Sequence, residues 1–498
     1  MDWPAASGSG VRPEPATRSH GARLREAAPR VDPRVAAGAV ILVHAVIFLW
    51  LFKTPGLYYE TGSDTQKVFW PATQRLLAGG IPYLDPHFFV EYPPLATAVF
   101  ALPGLLHPAS LRAFDFLFAV EILLVDAATL PLVALLARRA GVSALGAVVS
   151  YGLLIPLLGA VACQRFDLVP ATLVLGAALA LLAGRSAPAW LLLLAATLIK
   201  VYPLVLVPFF LLSDWRRGRR AGGVVYALGL AGSLLAWYLA APSSLGRFMQ
   251  WETRRGIEME SLQASVVEIL HLAGLPVRIL SPAQAFGSWD ISAAPTAALG
   301  LLSTLAMVAL LGALYLSYGR DIGLWSWPRV RRAPTVPSPA RGTPGTTGRP
   351  RTITADPHPR ADERLAAAPA APAAPAADRP SPREEARALL TYVTLAVLAL
   401  LLGSKLFSIQ FLLWLLPLLA VQPYDRVRTV ALALVATALS QSIFPFSWSG
   451  LLALQPVLVA DLALRNALLI AVGVLVWRAR GRARARAALE GTRAIQVQ

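Results

Sequence analysis

An acid-bearing stretch between two apolar segments contains the residues best suited to proton transfer. Gly62–Leu95 carries three acidic side chains, among them Asp64 and Glu91. An aspartate that is not deeply buried is ionised at neutral pH and can accept the proton of an attacking hydroxyl. We therefore predict Asp64 as a general base, with Glu91 as the alternative base, and Glu91 and Tyr92 as substrate-binding residues. The structural alternative for Asp64 is the N-cap of a helix predicted over Thr65–Leu77.

Ionisable side chains also interrupt the apolar segments further along the chain. Lys200 lies in an apolar run next to a helix-breaking proline, and CQRFDL contains Arg165 and Asp167. A third break, KLFSIQ, contains Lys405 and Gln410. Buried ionisable residues are costly in a membrane protein and usually line a cavity or pathway. We therefore predict that all five bind substrate.

Each of these positions has a structural alternative. Lys200 could extend its ammonium group to the membrane interface. Arg165 and Asp167 could form an ion pair with each other, and Lys405 could lie in an ordinary interfacial loop.

A second polar stretch, QWETRRGIEMES, alternates charges over residues 250–261. Guanidinium groups match the oxygens of a phosphate in geometry, so Arg254 and Arg255 are predicted to bind a phosphate or diphosphate. Glu260 completes the predicted substrate-binding set. An amphipathic helix is expected to follow from Leu262. The alternative is a solvated interfacial helix held by internal ion pairs.

The composition predicts that these residues belong to an all-α polytopic membrane protein. Of the 498 residues 56% are hydrophobic and 15% are charged, and the mean hydropathy is +0.58. Apolar runs long enough to cross about 30 Å of hydrocarbon recur from Val35 to Trp477. A soluble core is therefore excluded. The single cysteine, Cys163, also excludes a disulfide-stapled secreted fold.

Composition and apolar periodicity divide the chain into transmembrane parts and polar segments. Residues 1–34 are expected to be a disordered cytoplasmic segment before a retained signal-anchor helix. A proline-, alanine- and arginine-rich insert without apolar periodicity is expected to be disordered and cytoplasmic. The predicted parts are an N-terminal transmembrane part at 35–318 with outer loops 53–93 and 242–296, the insert at 319–387, a C-terminal transmembrane part at 388–477 and a basic cytoplasmic tail at 478–498.

Charge distribution predicts the orientation. The net charge is +17, but arginines collect in short loops and at the termini, which is typical of cytoplasmic loops and argues against nucleic acid as a partner. The stretches 53–93 and 242–295 show no basic excess and are expected to face outward. If Arg138 and Arg139 are cytoplasmic, the segment 94–106 must be re-entrant, and 189–212 must be a broken hairpin. If 94–106 spans the membrane, these two arginines lie outside.

Motifs of other enzyme classes are absent from the sequence. It contains no HExxH, CxxC or phosphate-binding loop motif, and its six histidines are scattered. No metal and no cofactor are therefore expected.

Several short motifs follow one another along the chain, namely Ser63-Asp64, Phe69-Trp70, Gly80-Ile81-Pro82-Tyr83, Tyr92-Pro93-Pro94, Cys163–Leu168, Thr197–Pro203 and Lys405–Leu419. Taken in order, they resemble the motifs of the GT-C superfamily of membrane glycosyltransferases, and most closely those of glycosyltransferase family 87. Members of that family carry a serine-aspartate pair after the first helix, an aromatic-rich helix, a G-x-P-Y turn and a YPP motif. The later segments are similar to the family's glycine-glutamine-x-asparagine stretch, lysine-proline motif and K-x-x-S-x-Q segment.

The resemblance implies a GT-C-like bundle of about 10–13 transmembrane helices whose outer loops carry short amphipathic helices. It also implies an inverting hexosyltransferase of the plasma (inner) membrane with an outward-facing active site. Such an enzyme would transfer a hexose from a polyprenyl-phosphate donor to a lipid or glycan acceptor. The resemblance to family 87 favours mannose as that hexose. The rival hypothesis is a non-enzymatic transporter or flippase of lipid-linked sugars.

Overall fold

The computed structural model describes residues 31–54, 56–58, 63–285, 287–325 and 380–496. The described chain is almost entirely helical, which confirms the predicted all-α class. Its α-helices are α1 Pro33–Lys53, α2 Trp70–Leu77, α3 Pro94–Gly104, α4 Leu111–Arg139, α5 Ala144–Leu154, α6 Val161–Gln164, α7 Leu168–Leu182, α8 Ser186–Ile199, α9 Val207–Arg216, α10 Ala221–Ala240, α11 Pro242–Arg254, α12 Leu262–Leu272, α13 Thr296–Asp321, α14 Pro382–Gly403, α15 Leu412–Ala420, α16 Arg426–Gln441, α17 Trp448–Leu452 and α18 Pro456–Gln496.

Seven helices in the described part of the chain are long and apolar enough to cross a membrane, and one of them runs on from α16 to Phe446. They confirm the prediction of a polytopic membrane protein. The central helix is α14, with 72% of its most apolar window buried, whereas α10 and α13 bury only 11%. Apolar side chains on the outer faces of α10 and α13 are therefore available to lipid.

The predicted disordered segments fall mainly outside the described residues, namely at 1–30 and 326–379. The flanking helices extend into the predicted insert. α13 continues to Asp321, and α14 begins at Pro382 behind a capping box formed by Ser381 and Glu384. The predicted basic tail continues α18 as a helix to Gln496.

Arginines from several connections meet at one end of the bundle, here called the arginine-rich end. Arg139 donates to the carbonyl oxygen of Leu182, and Arg387 donates to that of Ala140. Arg217 reaches both the Leu181 carbonyl and the Glu385 carboxylate. At the same end of α18, Arg480 pairs with Asp321. Each contact gives a helix-terminal carbonyl or an acid a cationic partner, which stabilises helix ends.

The apolar segment at 189–212 is a broken hairpin rather than one continuous span. Ser186 and Trp190, near the start of α8, both donate to the carboxylate of Asp214, near the end of α9. α8 and α9 are therefore antiparallel, and the 3-10 helix Tyr202–Leu206 lies at their turn. This arrangement brings Arg139 and Arg217 to the same end and removes the alternative in which they lie at opposite ends.

The loops at the opposite end of the bundle, here called the loop end, pack against each other. Arg247 donates to the carbonyl oxygens of Pro86 and Asp85, and the rings of Phe89 and Trp251 lie 4.9 Å apart. The second loop also holds a small antiparallel sheet with the strand order β1–β3–β2. Its strands are β1 Ile257–Glu258, β2 Arg278–Leu280 and β3 Asp290–Ser292.

Helix α12 of this loop buries polar side chains and exposes apolar ones, which is the opposite of a helix on the surface of a soluble protein. Its polar residues Gln263 and Glu268 are buried against the protein, whereas Val266 and Ile269 are exposed. Apolar side chains on the outer face fit a helix at the level of the membrane rather than in water.

A buried ion pair joins α1 to α4 and α5. His44 Nδ1 lies 2.8 Å from Asp126 Oδ2, and His44 Nε2 lies 3.1 Å from the Gly152 carbonyl oxygen. The Tyr151 hydroxyl donates to Asp126 Oδ1 over 2.5 Å. A carbonyl oxygen only accepts hydrogen bonds, so Nε2 of His44 donates to Gly152, and Nδ1 shares a hydrogen bond with the Asp126 carboxyl group. The contact is an ion pair when His44 is protonated.

We expect Asp126→Ala to lower the free energy of unfolding by about 3–5 kcal/mol, because it leaves a buried charge without a partner. Tyr151→Phe should cost only about 1 kcal/mol, the typical value for one hydrogen bond. Denaturant unfolding of the purified protein in detergent measures both. Equal losses for the two variants would contradict the ion-pair assignment.

The two ends of the bundle should label from opposite sides of the membrane. In a Cys163→Ala background, an impermeant thiol reagent should label Gln74→Cys and Ala283→Cys in intact cells. Arg220→Cys should react only after permeabilisation, since arginine-rich ends face the cytoplasm. All three native side chains are exposed. Labelling of Arg220→Cys in intact cells would reverse the orientation.

Candidate functional site

A cavity of about 800 Å³ lies at the loop end, between the two loops and the ends of the bundle helices. Its walls come from segments far apart in sequence: the π-helix Thr65–Phe69, the turn before α3, the α6–α7 connection, the α8–α9 hairpin, β1 and the irregular chain after α14. Most of these segments are breaks in regular structure. Irregular backbone at membrane depth is tolerated where it lines a polar cavity.

Asp64 lies at the start of the π-helix Thr65–Phe69 and directs its side chain into the cavity. Its Oδ2 atom accepts a hydrogen bond of 3.0 Å from the Tyr92 hydroxyl and forms an ion pair with Arg165. It makes no side-chain cap hydrogen bond. Asp64 thus occupies the N-cap position, but its side chain is used on Tyr92 and Arg165 rather than on the helix start.

Arg165 and Asp167 each pair with another residue rather than with each other, as the structural alternative would have had it. Arg165 pairs with Asp64, whereas Asp167 Oδ1 accepts from Lys200 Nζ at 2.6 Å and from Trp414 Nε1 at 2.7 Å. The two charged residues differ in backbone conformation, since Arg165 is extended and Asp167 is the N-cap residue of α7. Their side chains therefore reach different partners. The loop thus links two walls of the cavity.

Lys200 lies at the break of the α8–α9 hairpin, in extended backbone. Its ammonium group is surrounded by four aromatic rings, at 4.9–5.5 Å from their centroids, in addition to Asp167. The rings are those of Tyr92, Phe166, Phe411 and Trp414. Cation–π contacts and an ion pair satisfy this buried cation, so the snorkelling alternative is wrong.

Arg255 connects the two loops. Its Nη2 lies 3.2 Å from Glu91 Oε2, and its guanidinium lies 4.9 Å from the Trp251 ring centroid. Lys405 does not line the cavity; its ammonium group donates to the backbone carbonyl oxygens of Thr253 and Arg255. Lys405 therefore holds the chain that carries Arg255.

Two glutamates form the wall next to Arg255, and an arginine packs behind them. Glu258 accepts a hydrogen bond from Ser408. Glu260 is only 4% exposed, and its backbone carbonyl oxygen accepts a hydrogen bond from Arg465. Burial raises the pKa of Glu258. Burial, together with the nearby Glu258 charge, raises the pKa of Glu260 to about 8. Glu260 is therefore largely protonated at neutral pH.

Arg465 was not among the predicted site residues. Its side chain donates to the backbone carbonyl of Glu260, and its guanidinium lies 4.3 Å from the centroid of the Phe407 ring. The signal was present, since a fully buried arginine interrupts the apolar run of α18. Gln164, Trp251 and Trp414 also line the cavity without having been predicted.

The cavity gathers most of the predicted site residues. Arg254 is exposed and does not line it, and Asp167 and Lys405 act on it through Lys200 and the Arg255 backbone. Among the described residues no group of acids, histidines or cysteines is arranged to hold a metal ion. The predicted residues that line the cavity are Asp64, Glu91, Tyr92, Arg165, Lys200, Arg255, Glu260 and Gln410.

The raised pKa of Glu260 predicts a pH-dependent stability difference. A carboxyl group whose pKa is higher in the folded state stabilises fully below its unfolded value, near 4.5, and this contribution is lost as the pH rises through about 8. Glu260→Gln keeps the neutral form at every pH. Its melting temperature relative to the unmodified protein should therefore rise between about pH 5 and pH 9. A difference independent of pH would contradict the shifted pKa.

Comparison with known proteins agrees with this geometry. Residues 89–328 match the family described as glycosyltransferase family 87. The matched part contains Glu91, Arg165, Lys200 and Arg255, whereas Asp64 precedes it and Gln410 follows it. No curated protein matches the chain. The family match, together with the helical membrane fold, supports a membrane glycosyltransferase similar to glycosyltransferase family 87 over residues 89–328.

Proposed function

We propose that the protein transfers a hexose, mannose in the first instance, from a polyprenyl-phosphate donor to a lipid or glycan acceptor on the outer face of the plasma membrane. The observation that carries this proposal is the placement of Asp64 in the cavity. The carboxylate lies at hydrogen-bonding distance from Tyr92 and Arg165, and Lys200 and Arg255 supply further positive charge on the same walls.

The proposed reaction is a single displacement at the anomeric carbon. The acceptor hydroxyl oxygen forms a bond to that carbon, its proton passes to Asp64, and the bond from the carbon to the phosphate oxygen breaks. The electron pair leaves with the polyprenyl phosphate, a weakly basic anion that cationic side chains stabilise. A single displacement inverts the anomeric centre, by analogy with inverting glycosidases.

The lining of the cavity supports a lipid-linked donor. Beside the charged groups it includes Val201 and Leu204, each 43% exposed, together with Leu400 and Leu401 of α14. These apolar side chains suit a hydrocarbon tail, and the cations suit its phosphate. A nucleotide-sugar donor would have no use for such an apolar wall.

The distribution of charge supports an outward-facing site. The cavity lies at the end opposite Arg139, Arg217 and Arg387, and basic ends of membrane proteins face the cytoplasm. The acceptor would then approach from the outer side, where lipids and glycans of the envelope are found.

Asp64→Asn should lower the rate of transfer by about 10² to 10⁴, the usual contribution of general acid–base catalysis. Asparagine keeps the size of the side chain but cannot take up the acceptor proton. Membranes containing the protein would be incubated with labelled polyprenyl-phosphate mannose, glucose or arabinose in turn, and the labelled product identified. Donor binding should persist in the variant.

The matched control is Asp85→Asn. Asp85 lies in the same loop and pairs with Arg75 over 2.9 Å, but it does not line the cavity, so the variant should retain its activity. Full activity of Asp64→Asn, with Glu91→Gln inactive, would transfer the role of the base to Glu91. A protein that binds the sugar lipid but never forms a glycosidic bond would support a transporter instead.

A further inference from the structure

The candidate base is held by a cation in the cavity. Asp64 Oδ2 contacts both Arg165 and the Tyr92 hydroxyl. A carboxylate paired in this way is a weaker proton acceptor than a free one, because the guanidinium stabilises its ionised form. The side chains of Arg165 and Asp64 keep about a fifth of their surface accessible, 19% and 22%. A ligand in the cavity can therefore reach this pair.

Two other cations of the cavity are also paired, but they differ in how firmly they are held. Lys200 contacts Asp167, whose side chain is only 1% exposed and also accepts from Trp414. Separating this pair would leave a buried carboxylate among aromatic rings, which is costly. Arg255, paired with Glu91, is fixed through its backbone by Lys405.

Arg165 has several competing anions within electrostatic reach. Asp64 contacts it directly, and Asp167 and Glu258 interact with it from the other walls. A guanidinium in this position can change its partner without becoming unpaired. Its planar donor fork also binds phosphate oxygens in the same bidentate manner as carboxylate oxygens.

We propose that Arg165 is a positioning residue that exchanges Asp64 for the donor phosphate. This inference rests on the proposed function. Before the donor binds, Arg165 holds Asp64; when the donor binds, its phosphate takes the guanidinium, and Asp64 is released with its charge intact. The freed carboxylate then receives the proton of the acceptor hydroxyl, while the departing phosphate remains on Arg165.

The exchange gives the reaction an order. Without donor, Asp64 is occupied and does not activate an acceptor or a water molecule. With donor bound, Asp64 is freed beside the anomeric carbon. After transfer, the proton leaves Asp64 to solvent in the cavity, the polyprenyl phosphate departs, and the ion pair between Arg165 and Asp64 forms again.

The exchange predicts that removing the catalytic charge strengthens ligand binding. We expect Asp64→Asn to bind a sugar-free, short-chain polyprenyl phosphate about tenfold more tightly than the unmodified protein, because the competitor for Arg165 is gone. Arg165→Gln should weaken binding about tenfold or more, since a charge-assisted hydrogen bond is lost. Titration of the purified full chain in detergent, followed by tryptophan fluorescence or calorimetry, measures both.

A double-mutant comparison separates exchange from a general change in charge. Glu91→Gln removes one negative charge from the same cavity without touching Arg165, so it should tighten binding less than Asp64→Asn does. In an Arg165→Gln background the gain from Asp64→Asn should disappear. A gain that persists in that background, or no gain in Asp64→Asn, overturns the proposal.

Two further controls test whether the change in affinity comes from the phosphate group and from a folded protein. Polyprenol without phosphate should bind the unmodified protein and Asp64→Asn equally, and a difference there would overturn the exchange. Each variant must also elute as a folded monodisperse protein, and Arg165→Lys should recover part of the affinity if Arg165→Gln folds poorly.

These binding results are independent of sugar transfer. If the unmodified protein transfers no sugar but shows the predicted pattern, the proposed function fails and the exchange stands. If it transfers sugar and the pattern is absent, the exchange fails alone. The kinetic counterpart is a KM for donor that rises in Arg165→Gln more than the KM for acceptor.

Discussion

The structure depends on one electrostatic constraint, which is that a charge placed among membrane helices needs a partner from another segment. Arg165 finds Asp64, Lys200 finds Asp167 and Arg255 finds Glu91. Each pair joins two stretches that lie far apart in the sequence. An unpaired charge in this environment would cost several kcal/mol, so these contacts fix the relative positions of the loops and the hairpin.

The same constraint explains why the cavity is built from irregular backbone. The α8–α9 hairpin breaks at Lys200, and the chain turns between α6 and α7 at Arg165. Helix α14 ends at Gly403, two residues before Lys405, which donates to the carbonyl oxygen of Thr253. Free backbone groups at such breaks need polar surroundings, which the cavity provides. Regular helices elsewhere in the bundle satisfy their own backbone and present apolar faces to lipid.

The cations at the two ends of the protein have different kinds of partner. The arginine-rich end uses its cations on helix-terminal carbonyls and on acids such as Asp321 and Glu385. The loop end uses its cations on carboxylates that line an open cavity. Cations there remain accessible to an anionic ligand, and this difference supports the proposal that a phosphate-linked substrate binds at the loop end.

Pairing also sets the chemical state of the site. Asp64 is paired with Arg165, while burial raises the pKa of Glu260 to about 8 and keeps that group mostly neutral. Two carboxyl groups in one cavity thus have different roles available to them. One can accept a proton once it is released, and the other can donate a hydrogen bond to a hydroxyl or phosphate oxygen.

The amino-acid sequence by itself determined the class of the protein and where to look. Apolar runs and arginine clusters predicted a polytopic helical bundle, and the ordered motifs around Asp64, Tyr92 and Lys200 predicted the family, because periodicity and local motifs need no knowledge of partners. The sequence also contained the signal for Arg465 within an apolar run.

Only the tertiary structure decided which charges meet. Arg165 lies two residues from Asp167 but pairs with Asp64, Asp167 pairs with Lys200, and Arg254 points away from the cavity while its neighbour Arg255 reaches Glu91. The hairpin at Lys200 could likewise be chosen over a single span only once Ser186 and Asp214 were seen in contact. The physical reason is that the direction of a side chain depends on the local turn of the backbone, and its partner depends on packing between segments that sequence spacing does not encode.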